Sequence, residues 1–143
     1  MLERYMTQGN DRIEVRYVDG EQHFAEETFS TVEAVFPSIR RYFSVENTFP
    51  KVRVVLVPDR REYDRLVTGF LRVPIKVPSD PWRIAQPQRT DMVALSPSGY
   101  KEHSIYEFKR DDFTRLMAHE LTHMVEEFLS PDMEASPLWW SEG

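Results

Sequence analysis

The sequence has 143 residues, of which 41% are hydrophobic and 29% are charged, and its formal net charge at pH 7 is −6. This composition is too apolar for a disordered chain and predicts a single folded domain over residues 1–143. The acidic balance argues against nucleic acid as a partner, because phosphate backbones attract clustered Lys and Arg. The sequence contains no cysteine, which excludes disulfides, thiolate metal ligands and cysteine nucleophiles.

No apolar run approaches the roughly 18 residues of a membrane-spanning helix, and the N-terminal residues lack the apolar centre of a secretory signal. We therefore expect no membrane segment, and a chain that is soluble as given. The compartment stays undetermined, since a longer parent protein that is exported or associated with the cell envelope is compatible with the same residues.

The first half of the chain predicts two strands and a long helix. Residues 12–18 alternate polar and apolar side chains, as in a strand with one buried face. Residues 29–43 carry apolar side chains at spacings of three and four, which is typical of an amphipathic helix, and Pro37 is expected to kink or divide it. Residues 51–57 are almost continuously apolar and β-branched, so they predict an interior strand.

The second half predicts two further helices and one more strand. Asp59 is positioned to cap a short helix that ends near Gly69. Prolines are frequent between residues 73 and 97, so we expect loops there, with a strand at residues 91–96. Residues 109–129 give the strongest helix prediction, because acidic residues in the first turn precede apolar residues at helical spacing.

The segment HELTH in this last helix brings together His119, Glu120 and His123. Each helical residue turns by about 100°, so the two histidines lie about 40° apart and one turn above each other, where both can bind one metal ion. Glu120 points about 100° away from His119, too far round for a natural third ligand but within reach of a water molecule on that metal. Zn²⁺ lowers the pKa of bound water towards about 7, and a neighbouring carboxylate can accept its proton. The pattern therefore predicts a hydrolytic zinc site with Glu120 as general base.

A simpler interpretation is that these are two surface histidines on an amphipathic helix. Their face lies away from the apolar stripe of Phe113, Met117 and Met124, as it would for ordinary solvated side chains. The short motif alone leaves both interpretations open.

A catalytic zinc site usually has three protein ligands, so a third must follow His123. Glu126 lies on the same helix face, where a third ligand closes a tetrahedron poorly, and we expect it to support the ligands or to be solvated. Asp132 lies where the helix is expected to end and more naturally caps or turns the chain. Glu142 is the remaining candidate.

These residues resemble those of the gluzincins, the thermolysin-like and aminopeptidase-like zinc metallopeptidases. In that family HExxH is commonly followed, after eighteen residues, by a glutamate, and eighteen residues separate His123 from Glu142 here. Residues 137–143, PLWWSEG, look like the P-x-W-x-x-E-G signature of the peptidase MA-like group. The resemblance implies that His119, His123 and Glu142 bind Zn²⁺ and that Glu120 is the base. It also implies an α+β, zincin-like fold: a small mixed sheet with backing helices and an HExxH helix.

The resemblance further implies that the strand at residues 91–96 is an edge strand beside the active-site cleft. The backbone of Val93, Ala94 and Leu95 would then pair with an extended peptide or protein substrate.

In the family the cleft is completed by a helical part that follows the glutamate ligand. The 143 residues are therefore expected to be the N-terminal portion of a metallopeptidase catalytic domain, inactive as an isolated segment. Its histidine face and the paired Trp139 and Trp140 would be exposed, which favours self-association through the site face. The alternative is a non-catalytic domain that binds zinc or serves as a scaffold for a partner.

Overall fold

The computed structural model describes residues 1–130, and its centre is a five-stranded mixed sheet. The strands are β1 (Met6–Gly9), β2 (Ile13–Tyr17), β3 (Val52–Val57), β4 (Ala85–Gln88) and β5 (Asp91–Leu95). Their order across the sheet is β1-β2-β3-β5-β4. The three inner strands are parallel, and each outer strand is antiparallel to its neighbour. The architecture is therefore α+β with a mixed sheet, as expected.

The helices follow the strands along the chain and cover the sheet. They are α1 (Gln22–Tyr42), α2 (Arg60–Gly69), the short α3 (Tyr100–His103) and α4 (Arg110–Leu129). Helix α1 packs against β2 and α4, α2 packs against β3 and β5, and α4 also contacts β4. Parallel neighbours such as β2 and β3 need a long crossover between them, and α1 provides it.

The predicted inner strands of the sheet and the helices that follow them in the chain are confirmed. The carboxylate of Asp59 accepts a hydrogen bond from the amide of Glu62 at 2.8 Å, and so caps α2, which ends at Gly69. Strand β3 is the middle strand, and five of its six residues are buried, which explains why its sequence is almost continuously apolar. Helix α4 coincides with the predicted segment to within one residue.

The sequence predicts a kink or a division of α1 at Pro37, and the helix is not divided there. One helix runs from Gln22 to Tyr42 with Pro37 inside it. A proline removes one helical hydrogen bond, and burial of Phe36 and Arg40 on either side holds the helix together across that position.

The edge-strand prediction for residues 91–96 is wrong in position, although the strand itself exists as β5. Strand β5 lies between β3 and β4, so its backbone groups are paired on both sides, and Val93, Ala94 and Leu95 are fully buried. The edge is formed by β4, which the sequence did not predict. Strands β4 and β5 form a hairpin with a two-residue turn, in which Arg89 adopts a left-handed φ of 59°.

Helix α4 is fixed by one apolar face. Its buried apolar residues are Phe113, Met117, Leu121, Met124 and Val125. Each such side chain contributes about 1.5–3 kcal/mol through burial. The rotation of the helix, and with it the direction of the HELTH side chains, is therefore set by the core. None of the helices formed by residues 1–130 is long and apolar enough to cross a membrane.

Candidate metal centre

The two histidines of HELTH converge on one point beside α4. The Nε2 atoms of His119 and His123 are 2.9 Å apart, and their rings are perpendicular with centroids 4.3 Å apart. The helical repeat explains the pairing, since residues four apart lie one above the other on the same face. The 2.9 Å separation also suits a hydrogen bond between one protonated and one unprotonated imidazole nitrogen.

This convergence fits a zinc ion. Zinc binds imidazole nitrogen at about 2.0–2.1 Å, and two nitrogens 2.9 Å apart would subtend an angle of about 90° at such an ion. A tetrahedral angle corresponds to nitrogens about 3.4 Å apart, which small rotations of the two rings provide. Imidazole is also a ligand that Zn²⁺ commonly uses. The donor set therefore matches two positions of a zinc site.

The two histidines differ in exposure. The His119 side chain is 53% exposed, whereas the His123 side chain is only 9% exposed. The expectation of an open histidine face is thus confirmed for His119 and wrong for His123. The His119 ring contacts the His123 ring edge-on, and Glu126 lies on the other side of the His123 ring. His119 and Glu126 therefore both help to cover His123.

The carboxylate of Glu120 is nearly buried and lies next to the histidine pair. Its Oε1 is 4.0 Å from His119 Nε2, and no residue among 1–130 donates a hydrogen bond to it. Burial without a hydrogen-bonding partner raises the pKa of Glu120 to about 7. Such a carboxyl group exchanges a proton readily near neutral pH, which is the property of a general base.

Glu126 lies behind the histidine pair and not between them. Its Oε1 is 3.7 Å from Nδ1 of His123, the ring nitrogen opposite the one that faces His119. That distance is longer than a hydrogen bond, yet the position is the one from which a carboxylate orients a metal-binding imidazole. Glu126 therefore fits a supporting role and not that of a third ligand.

The described residues supply two candidate metal ligands and not three. Residues 1–130 contain no group of three His, Asp or Glu side chains that could hold a metal ion. The predicted third ligand, Glu142, and the competing candidate Asp132 both lie outside the described residues.

Strand β4 is an outer strand of the sheet that residues 1–130 form, and it packs against α4, the helix that carries the histidines. The amide of Leu95 donates to the carbonyl of Ile84 at 2.8 Å, and bonded pairs alternate along an antiparallel ladder, so Ala85 and Pro87 turn their backbone groups to the open side. Pro87 has no N–H, and its carbonyl accepts a hydrogen bond from the side chain of Gln86 at 3.1 Å. Ala85 is therefore the residue of β4 that offers both an N–H and a carbonyl to a partner.

Sequence reasoning also missed a neighbour of Glu120 on α2. Tyr63 is fully buried, and its hydroxyl has no hydrogen-bond partner among residues 1–130. Burial is the main cause that raises the pKa of Tyr63; the charges of Arg83 and Arg60 lower it, and the charge of Glu120 raises it by a smaller amount. No spacing in the sequence links residues 63 and 120, so only the fold brings them within range of each other's charge.

Comparison of the chain with models of protein families finds no match, and comparison with curated protein sequences finds no significant match. The resemblance to gluzincins therefore rests on the motif residues themselves, and the functional argument rests on their geometry.

Proposed function

We propose that the chain carries the zinc-binding and proton-transferring residues of a gluzincin-type metallopeptidase, which hydrolyses peptide bonds. The observation that supports this most directly is the convergence of His119 and His123 at 2.9 Å, next to a buried carboxylate, Glu120, that receives no hydrogen bond from the described residues. A purely structural glutamate at such a position would be expected to have a partner, because an unpaired buried charge is costly.

Each residue has a distinct role in this proposal. His119 and His123 hold the zinc ion through Nε2, and Glu142 is the proposed third ligand. Zinc, when bound, supplies a Lewis acid that polarises the carbonyl and makes water more acidic. Glu120 would take a proton on its carboxylate from the attacking water and pass it to the leaving amine, as a general base and then a general acid.

The open side of β4 supports a peptide as the substrate. An extended peptide can add to a sheet edge, and Ala85 offers an N–H and a carbonyl for one pair of backbone hydrogen bonds beside α4. This assigns to β4 the pairing that the sequence had suggested for β5. The edge is short, which also limits pairing with a second copy of the chain.

Zinc binding tests the ligands. Equilibrium dialysis with metal analysis should find about one zinc ion per chain, and His119→Ala with His123→Ala should abolish it. The protein has four histidines, so His23→Ala with His103→Ala is a matched control that removes equally many imidazoles elsewhere. Equal zinc loss in both double variants would contradict the assignment.

Turnover tests the base. In the full-length protein, Glu120→Gln should retain zinc and fold while lowering kcat for peptide hydrolysis by about 10²-fold or more. Retained zinc with no peptide hydrolysis by the unsubstituted protein would favour the alternative, a non-catalytic zinc-binding or scaffold domain.

A further inference from the structure

Three large apolar side chains form an exposed surface where the chain enters β4. Trp82, Ile105 and Tyr106 are 47%, 66% and 43% exposed, and we call them the Trp82 surface. They come from two loops, and the amide of Ile105 donates to the carbonyl of Pro81 at 3.3 Å, which places the loops side by side. Contiguous exposed apolar side chains commonly mark a binding surface.

Arg60 holds these two loops together. Its guanidinium donates to the carbonyls of Arg83 at 2.6 Å, His103 at 2.5 Å and Pro81 at 3.4 Å. A single side chain from the start of α2 thus joins the backbone on both sides of the surface. Since Arg60 bonds three carbonyls in a fixed fork, the relative position of the loops is set before any ligand arrives.

The aromatic groups of the surface are also positioned locally. The guanidinium of Arg83 lies 5.0 Å from the centre of the Trp82 ring, so one face of the indole is covered and the ring is held in place. The Tyr106 amide donates to the hydroxyl of Ser104 at 3.1 Å, which fixes the turn that presents Tyr106. An ordered apolar surface loses little conformational entropy when a ligand side chain packs on it.

The Trp82 surface adjoins the outer side of β4. Trp82 lies three residues before Ala85, and β4 packs against α4, the helix that carries the histidines. Just beyond β4, the amide of Arg89 is 3.4 Å from Glu127 Oε2 on α4. A peptide that pairs with Ala85 can therefore place a side chain about three residues along its own chain against Trp82.

The backbone edge alone is too short to bind a peptide well. Ala85 offers one pair of hydrogen bonds, whereas the carbonyl of Arg83, the next outward position, is already bonded to Arg60. Exchange of hydrogen bonds with water leaves little net gain for one such pair. A peptide held at this edge therefore needs a side-chain contact, and the Trp82 surface provides it.

We infer that the Trp82 surface is the specificity site of the proposed peptidase and takes a large apolar side chain of the peptide that is cleaved. The inference rests on the proposed function for the cleavage step only, since the contact itself requires no metal. The occupant is an extended peptide that pairs with Ala85 and places a Phe-like or Leu-like side chain against Trp82, Ile105 and Tyr106.

Peptide binding without metal tests the surface. The probes are fluorescein-labelled peptides of about twelve Ser, Thr and Gln residues. Each peptide carries one Phe, at a different position in each peptide, and the reference peptides have Ala in place of Phe. In EDTA, fluorescence anisotropy should show about tenfold tighter binding for Phe at the best position. Trp82→Ser with Ile105→Ser should reduce the preference to about twofold or less, and Trp82→Phe should keep it.

The matched control is Tyr42→Ser, which removes an exposed aromatic side chain at the end of α1 and should leave the preference unchanged. Equal binding of the Phe and Ala peptides, or a preference that survives the loss of Trp82 and Ile105, would overturn the inference.

Cleavage by the full-length protein with zinc separates the two proposals. Cut sites at one constant number of residues from Phe are expected. A Trp82-dependent Phe preference without any cleavage refutes the proposed hydrolysis and leaves a peptide-binding surface. Cleavage at positions that do not depend on Phe refutes the inferred role of the Trp82 surface and leaves the proposed hydrolysis intact.

Discussion

Two glutamates on two helices are almost equally hidden from solvent and have opposite environments. The side chain of Glu62 on α2 is 8% exposed, and that of Glu120 on α4 is 12% exposed. Similar burial would by itself raise the pKa of both carboxyl groups. Their pKa values instead move in opposite directions, and the hydrogen bonds that Glu62 accepts are the largest cause of its lowered pKa.

Glu62 is surrounded by donors. Its carboxylate accepts hydrogen bonds from Arg65 at 2.6 and 2.9 Å, from Arg4 at 2.9 Å and from the hydroxyl of Tyr5. These bonds, that of Arg65 first, outweigh burial and lower the pKa of Glu62 to about 2. The cluster ties the N-terminal residues to α2, so the charge of Glu62 serves the fold.

The carboxylate of Glu120 is mostly buried, and no residue among 1–130 donates a hydrogen bond to it. Its Oε1 lies 4.0 Å from His119 Nε2, and burial raises the pKa of Glu120 to about 7. The fold gains nothing from this charge and is expected to be weakened by it. A carboxylate that is costly to the fold yet suited to proton transfer is what a general base requires, and the contrast with Glu62 gives the proposal for Glu120 its physical basis.

The largest effect on stability should come from neutralising Glu62, the glutamate whose charge is paired with donors. Glu62→Gln leaves two arginines and a tyrosine around an uncharged amide, and we expect it to lower the free energy of unfolding by about 2–3 kcal/mol. Urea unfolding at neutral pH measures this. Glu107→Gln, at an exposed loop position, is the control and should change stability by less than about 0.5 kcal/mol. A loss for Glu62→Gln no larger than the control would show that the cluster is not stabilising.

The same cluster should make stability depend on acid. The pKa of Glu62 is lowered in the fold, so its contribution is present above the unfolded value of about 4.5 and is lost as the pH falls towards 2. Partly exposed Arg4 and Arg65 screen the charge, so we expect a difference of about 2 kcal/mol between the unsubstituted and Glu62→Gln chains at pH 5, shrinking towards zero by pH 2. Unfolding curves across that range check it. A difference that stays constant with pH would contradict the assignment to the charge.

Much of the fold could be predicted from the sequence, because its inner elements have strong periodic patterns. Strand β3 is almost continuously apolar, and α4 repeats apolar residues at helical spacing. The outer strands could not be predicted. Strand β1 reads MTQG and β4 reads AQPQ; neither alternates polar and apolar residues, and Thr7 is the single β-branched residue in the two strands. Their pairing depends on neighbours, and a proline in β4 is acceptable because one of its sides is open.

The part of the candidate site that could be predicted is the part formed by residues close together in the sequence. His119 and His123 meet because they are four residues apart on one helix, which a sequence shows directly. Contacts between distant segments could not be predicted, because they depend on how the elements assemble. Examples are the hydrogen bonds of Arg60 to two loops, the proximity of Tyr63 to Glu120, and the position of β4, instead of β5, at the edge of the sheet. The proposed contribution of Glu142 stays a prediction.

The smallest expected effect has the opposite sign and tests the comparison most sharply. Glu120→Gln replaces a buried, uncompensated carboxylate by a neutral amide of the same shape. With zinc removed by EDTA, we expect it to raise the free energy of unfolding by about 1 kcal/mol at a pH near 8. Urea unfolding beside Glu62→Gln under the same conditions measures the two signs together. If Glu120→Gln destabilised the chain as Glu62→Gln does, Glu120 would have a structural partner, and its freedom to exchange a proton would no longer follow from its position. A gain in stability together with a loss of turnover would instead identify Glu120 as a residue retained for chemistry at a cost to the fold.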